Sequence, residues 1–282
     1  MRILLTGRNG QVGWELSRAL GSLGELLALD RGELDLADEA AIRRVVREVQ
    51  PTVIVNAAAY TAVDRAETEP EIATRINAVA PGMLAKEARR SGALLVHYST
   101  DYVFDGEKST PYREDDPPRP LNAYGRSKLE GEAAIQASGC RHLILRTSWL
   151  YSDRGHNFLR TMLRLARERS ELRVVDDQIG APTSAIALAR ATAEILREPR
   201  AEGVLHMSAA GRTSWHGFAE AIVESVGLPA RVVAIRSQDY PSAARRPRNS
   251  LLDNTRLEQA FGIALEDWRA QLREVMARVR EP

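Results

Sequence analysis

Short, continuously apolar runs recur through the first half of the chain, at residues 3–6, 26–29, 53–57, 93–96 and 143–145. A strand that is apolar throughout, rather than at alternate positions, is buried on both faces, as in a parallel sheet covered by helices. Between these runs the period changes. Val12, Leu16, Leu20 and Leu23 share one helical face, and so do Ile42, Val45, Val46 and Val49 ahead of Pro51, so residues 12–23 and 40–49 read as amphipathic helices. Strand, helix, strand in repetition predicts an α/β fold with a doubly wound parallel sheet, spanning residues 1–150 as a dinucleotide-binding domain.

After residue 150 the pattern loosens. Helical periodicity marks residues 158–166, 186–196, 218–226 and 265–279, short strands are expected at 172–175 and 204–207, and the Pro- and Arg-rich stretch 240–249 reads as an irregular loop. These pieces predict a smaller C-terminal substrate-binding lobe within residues 151–282, packed over the carboxyl ends of the strands without a clean linker. One helix, near 184–197, is expected to return to the first domain.

Composition narrows the function. With 282 residues, 44% hydrophobic and 27% charged, the chain buries a sizeable core, which excludes disordered and fibrous classes. Its 39 Lys and Arg against 38 Asp and Glu give a net charge of +1, with no global pull toward nucleic acid or membrane, so any phosphate binding is local. The lone Cys140 excludes an internal disulfide and fits a reducing compartment, the cytoplasm. No apolar run reaches the roughly 18 residues of a membrane span. The opening residues read as a first strand rather than a signal peptide. The histidines at 97, 142, 156, 206 and 216 contain no i, i+4 pair and give no metal signal.

Local chemistry begins directly after the first strand. Gly7, Gly10 and Gly13 stand in a G-x-x-G-x-x-G spacing that opens the first helix, where glycines let the backbone approach a pyrophosphate and the helix N-terminus favours its charge. Asp30 ends the second strand, placed to accept hydrogen bonds from the adenosine ribose hydroxyls, and its charge repels a 2′-phosphate. The neighbouring Arg31 offsets part of that repulsion. The expected cofactor is therefore NADH or NADPH, with NADH favoured. Asp35 and Leu36 are candidates to flank the adenine, and the small residues from Asn56 to Ala59 leave room beside a flat cofactor.

A second group of residues suits carbonyl reduction. Ser99 and Thr100 end the fourth strand at the carboxyl edge, where ligands bind in such sheets. Tyr124 and Lys128 follow four residues apart in a segment that can begin a helix, which places phenol and amine on one face. An ammonium near a phenol favours the phenolate and draws its pKa toward the range of a working proton donor. Trp149 offers a broad face for a sugar ring, and Arg245, Arg246 and Arg248 are candidates for a diphosphate.

The order Gly7, Gly10, Gly13, Thr100, Tyr124, Lys128 resembles the extended short-chain dehydrogenase/reductase family, a Rossmann-fold group. Four further stretches, Ser99-Thr100-Asp101-Tyr102-Val103-Phe104, Arg146-Thr147-Ser148-Trp149-Leu150-Tyr151, residues 177–183 and residues 244–250, are similar to the dTDP-4-dehydrorhamnose reductases within it. The resemblance runs from residue 1 to about 275. It implies reduction of the 4-keto group of dTDP-4-dehydro-β-L-rhamnose to dTDP-L-rhamnose by a nicotinamide cofactor. It also implies that Thr100 binds the carbonyl oxygen, Tyr124 protonates it, and Lys128 holds the nicotinamide ribose and tunes Tyr124. Cofactor contacts are implied at Gly10, Gln11, Val12, Asp30, Asp35, Leu36, Ala59, Tyr60, Thr61 and Tyr98, and substrate contacts at Thr100, Asp101 and Trp149. Some members hold magnesium between subunits through glutamates, which makes Glu15 a candidate ligand and a homodimer an expected assembly. Two other readings share the scaffold: an epimerase or dehydratase that recycles its nicotinamide, and a noncatalytic regulatory subunit like the β subunit of methionine adenosyltransferase.

Overall fold

The first apolar run forms β1 (Arg2–Thr6), with Ile3, Leu4 and Leu5 fully buried. In the computed structural model, which describes residues 1–279, this strand lies between β2 (Glu25–Leu29) and β3 (Val53–Asn56), parallel to both. β4 (Leu94–Thr100) and β5 (His142–Thr147) extend the sheet beyond β3. After the short strands β6 (Leu150–Tyr151), β7 (Glu171–Val175), β8 (Ile179–Gly180) and β9 (Thr183–Ser184), the chain returns as β10 (Gly203–His206). β10 pairs with β5 and completes a six-stranded sheet of order β2-β1-β3-β4-β5-β10, parallel throughout. The strand expected at residues 204–207 thus closes the main sheet instead of building the smaller lobe.

Alternate strand residues point to opposite faces, and each face has its own helical cover. Ile3, Leu5, Val53, Val55, Val96 and Leu145 pack with Val12 and Leu16 of α1 (Gln11–Ala19) and with Leu188 and Ile195 of α8 (Ala185–Arg197). Leu4, Ile54, Leu95 and Ile144 instead meet Ile42 and Val46 of α2 (Glu39–Val49), Leu84 of α5 (Ala80–Ser91) and Ile135 of α6 (Ala123–Ser138). Two short helices, α3 (Val63–Ala66) and α4 (Pro70–Thr74), follow β3, and a π-helical turn at Arg75–Val79 joins α4 to α5.

A separate apolar cluster builds the lobe. Leu159 and Leu163 of α7 (Phe158–Glu168), Phe218 and Ile222 of α9 (Trp215–Ser225), and, after the short α10 (Thr255–Phe261), Trp268 and Val275 of α11 (Trp268–Met276) surround Tyr151 and Leu172. β7 is paired in parallel with β12 (Arg231–Ile235), and β11 (Thr213–Ser214) runs antiparallel to β8. Among the described residues no helix is long and apolar enough to cross a membrane.

Candidate active site

The strand order reverses between β1 and β3, and a crevice opens there beyond the carboxyl ends of the strands. It forms a cavity of about 970 Å³ lined by Gly7, Gly10, Gln11, Val12, Asp30, Asp35, Leu36, Ala59, Tyr60 and Thr61, all expected cofactor contacts. The loop that enters it tolerates no side chains at two of its glycines. Gly7 has φ +78°, and a Cβ on Gly13 would sit 2.0 Å from the Gly7 carbonyl oxygen. Gly10 is the N-cap of α1 and no side chain caps the helix, so the first-turn amides remain for an anionic group in the cavity. The residues present therefore fit the pyrophosphate of a dinucleotide.

Asp30 is already in a basic setting. Its Oδ2 accepts hydrogen bonds from Arg8 Nη2 and Asn9 Nδ2, both at 3.0 Å, and the Gly32 amide binds Oδ1 at 2.9 Å. These bonds and the Arg8 charge outweigh burial and hold the carboxyl below its ordinary range. The guanidinium beside Asp30 belongs to Arg8, not to Arg31, whose largely exposed side chain faces Asp35 at 3.5 Å. The cation expected from the next residue in sequence comes instead from the loop after β1.

The reducing end is assembled from β4 and α6. Asn122 caps α6 by accepting from the Gly125 amide at 2.7 Å, which starts the helix at the point that brings Tyr124 and Lys128 over the end of β4. Thr100 Oγ1 accepts from the Tyr102 amide at 3.1 Å and donates to Asp101 Oδ1 at 3.0 Å, and this hydroxyl acts to lower the pKa of the Tyr124 phenol. Burial and the Asp101 charge nonetheless leave Tyr124 well above the ordinary value for a phenol. This departs from the expected depression by Lys128. The reason is geometric: Lys128 Nζ donates to the Tyr98 carbonyl at 2.6 Å and lies 3.1 Å from His97 Nε2. Burial brings Lys128 down to about 8, against the opposing charge of Glu132.

Gly13, Tyr98, Tyr124 and Lys128 do not line the cavity; Gly13 supports its loop from beneath. The Tyr98 ring is turned away toward α8, where its hydroxyl meets Thr192 Oγ1 at 2.6 Å, so its backbone carbonyl is the part that reaches Lys128. Tyr60 and Tyr124 pack on the same small apolar cluster of Ala66, Ala73 and Ala123, which joins cavity to reducing end. Asp101 is 2% exposed, and burial pushes its carboxyl up to about 6 against the hydrogen bond from Thr100 to Oδ1, while Oδ2 is buried without a partner.

Trp149 adopts φ +49° and stacks on Trp215 at 3.7 Å between ring centroids, and a Cβ on Gly180 would lie 2.4 Å from its ring. The ring is 8% exposed, so the open face expected of it is largely covered. Trp215 Nε1 donates to Gln178 Oε1 at 3.2 Å, and the Ile179 amide donates to the Arg248 carbonyl at 2.7 Å. Thus the 177–183 segment, Trp149 and the arginine loop do converge. Within that loop Arg246 is bound to Asp64 at 2.7 Å, whereas Arg245 and Arg248 are exposed.

Several residues of this region have no local sequence signal. Asn77 in the π-turn accepts from the amide of Tyr60 and donates to its carbonyl and to Ser127 Oγ, tying the cavity wall to α6. Glu132 and Arg146 form a buried ion pair at 2.6 Å that anchors α6 to β5. The magnesium reading fares differently. Glu15 is paired with Arg278 at 3.3 Å, and among the described residues no group of three or more His, Cys, Asp or Glu is placed to hold a metal ion. A guanidinium already answers that carboxylate, so the residues do not fit a metal within one chain.

Comparison with known proteins identifies the family. The family model described as the RmlD substrate binding domain matches residues 1–281. The chain is 52% identical over 285 residues to a dTDP-4-dehydrorhamnose reductase of Burkholderia thailandensis, covering 95% of this chain and 96% of that one. A crystal structure of a dTDP-4-dehydrorhamnose reductase ortholog from Clostridium acetobutylicum superposes with a TM-score of 0.96 at 39% identity, covering 100% of both chains. A Bacillus anthracis dTDP-4-dehydrorhamnose reductase solved in complex with NADP gives 0.95 at 35% identity, over 98% of this chain and 99% of that one.

Proposed function

The chain belongs to the dTDP-4-dehydrorhamnose reductase family, and from that premise we propose how its own residues reduce the 4-keto group of dTDP-4-dehydro-β-L-rhamnose to dTDP-L-rhamnose. A bound nicotinamide, NADH or NADPH, supplies the hydride. Gly7, Gly10 and the first turn of α1 hold its pyrophosphate, Asp30 its adenosine ribose, and Lys128 its nicotinamide ribose. Tyr124 donates to the sugar carbonyl oxygen, and the Thr100 hydroxyl, whose single proton otherwise goes to Asp101, turns to donate to the same oxygen. As hydride reaches carbon, charge grows on that oxygen, so both donors bind the transition state more tightly than the ketone. Tyr124 then gives its proton to the oxygen, which completes the alcohol, and recovers one from solvent.

A phenol held above its ordinary pKa carries its proton at neutral pH, and the charge that grows on the sugar oxygen is what draws that proton across. Its conjugate base is costly in this buried setting beside Asp101, so the phenol regains a proton readily. Asp101 stands under Thr100 on the sugar's side, and Trp149, stacked on Trp215, offers the sugar only its uncovered edge. Arg245 and Arg248 are the free guanidiniums for the diphosphate. Asp30 favours NADH, and Arg8 beside it lets NADPH bind as well. The reading includes a cytoplasmic protein without nucleic-acid or membrane partners. A homodimer stays within it, although Glu15 faces Arg278 rather than a shared magnesium.

The observation that carries this reading is that β4 ends in Thr100 where α6, which carries Tyr124 and Lys128, is bonded to it through Lys128 Nζ and the Tyr98 carbonyl, beside a glycine-lined cavity. That intact set favours a reductase over a noncatalytic subunit. The test supplies dTDP-4-dehydrorhamnose and follows NADH and NADPH by absorbance. Oxidation in stoichiometry with sugar separates a reductase from an epimerase or dehydratase, and no oxidation of either cofactor overturns the reading.

A further inference from the structure

His97 has no part in the reaction described above, yet it is 1% exposed and lies against the catalytic lysine. In register, Thr6 of β1 stands opposite Asn56 of β3, and Asn56 opposite His97 of β4. Their side chains form a row. Thr6 Oγ1 donates to Asn56 Oδ1 at 2.7 Å, Asn56 Nδ2 lies 3.0 Å from His97 Nδ1, and His97 Nε2 lies 3.1 Å from Lys128 Nζ. All four residues are at most 2% exposed, in a layer otherwise made of apolar strand residues. Polar groups at such a depth are costly unless each finds a partner.

We propose that His97 is a positioning residue for Lys128: a neutral imidazole, fixed in its Nδ1–H tautomer by Asn56, that accepts one ammonium N–H at Nε2. An ammonium has three N–H donors and no acceptor, while a neutral imidazole has one donor and one lone pair. Nε2 faces the ammonium and so carries the lone pair. Nδ1 therefore carries the proton, which requires the Asn56 amide to be turned end for end, its oxygen accepting from Nδ1 and its nitrogen donating to Thr6 Oγ1; amide oxygen and nitrogen are assigned from their hydrogen-bond partners. The Tyr98 carbonyl accepts a second ammonium N–H, which leaves the third for the nicotinamide ribose. Burial and the Lys128 charge both hold His97 far below its ordinary pKa, which keeps it neutral. The other ionisable groups around Lys128 are Tyr124 and Glu132 on its own helix, Glu132 being paired with Arg146 of β5. The Tyr98 phenol of β4 is turned away to Thr192.

This inference rests on the proposed role of Lys128, so wild-type turnover is measured first; its absence would count against that role and not against His97. With an active wild type, His97→Leu removes the acceptor while keeping bulk. A hydrogen bond to the charged form favours that form, so its loss lowers the lysine pKa. The expected result is a fall in kcat of about tenfold or more, with the alkaline limb of the kcat profile moved to lower pH. His97→Gln restores an acceptor and returns most of the rate and the limb. Independently, ¹⁵N spectra of the full-length wild type labelled at histidine, assigned by the signals lost in His97→Gln, should show His97 as the Nδ1–H tautomer at neutral pH. An Nε2–H tautomer, an imidazolium, or a leucine variant with an unmoved alkaline limb overturns the proposal, and the spectra decide alone if the leucine variant fails to fold.

Discussion

Glutamine in place of Glu132 tests how the reactive helix is held. The side chains of Arg146 and Glu132 are 5% and 2% exposed, and two charge-assisted hydrogen bonds join them, Nε to Oε1 at 2.9 Å and Nη2 to Oε2 at 2.6 Å. Ser99 Oγ also donates to Oε1, so three segments meet at one carboxylate. Glu132→Gln keeps the shape and one acceptor for Ser99 but leaves a guanidinium buried without a counter-charge. Breaking a buried pair from one side costs about 3–5 kcal/mol, because the remaining charge stays desolvated. For a chain of this size that is roughly 10 °C in Tm, with a lower urea midpoint at unchanged slope. Replacing both partners by methionine removes both charges, and should cost no more than about 1 kcal/mol. Glu132 is also the charge that opposes the depression of Lys128, so the glutamine variant should move the alkaline limb of kcat to lower pH. A loss below about 1 kcal/mol for Glu132→Gln, or an equal loss in the double variant, would refute the reasoning that the pair's cost lies in the stranded cation.

Three further outcomes follow from the cavity and from Lys128. Gly13→Ala drives a Cβ into the Gly7 carbonyl, so cofactor Kd, measured by fluorescence titration, should rise by at least about tenfold. Arg8→Ala removes the guanidinium on Asp30 and should lower kcat/KM with NADPH by about tenfold while changing NADH much less; steady-state kinetics with both cofactors checks this. Lys128 is held at about 8 by burial and acts as the ammonium, so kcat should be full below that pH and fall as pH rises through it, and a pH profile reads the limb directly.

Much of the sheet was legible because each buried strand is a continuous apolar run, and buried strands have little freedom to be anything else. Residues 204–207 show the limit: four residues carry a strand pattern but not the identity of the partner strand, and β10 joined β5 across the intervening lobe. The Tyr124 and Lys128 pair was legible because its spacing is local to one helix. What the lysine actually touches was not, since His97 and the Tyr98 carbonyl reach it through tertiary packing. Asp30 repeats the point. Its neighbour in sequence, Arg31, turns to Asp35, and the cation in space is Arg8. Trp149 was readable as a large ring near a strand end, but its stacking partner Trp215 lies on another element, and only the folded chain covers that face.

The central claim is proton donation by Tyr124 to a sugar ketone, and Tyr124→Phe tests it most directly. With dTDP-4-dehydrorhamnose and saturating NADH, the wild type should oxidise cofactor and form dTDP-L-rhamnose one for one. The phenylalanine variant should bind cofactor normally yet turn over roughly 10²- to 10⁴-fold more slowly, the usual contribution of a positioned acid. Equal rates for the two proteins would contradict the role given to Tyr124, and a wild type that oxidises neither NADH nor NADPH would contradict the reductase itself.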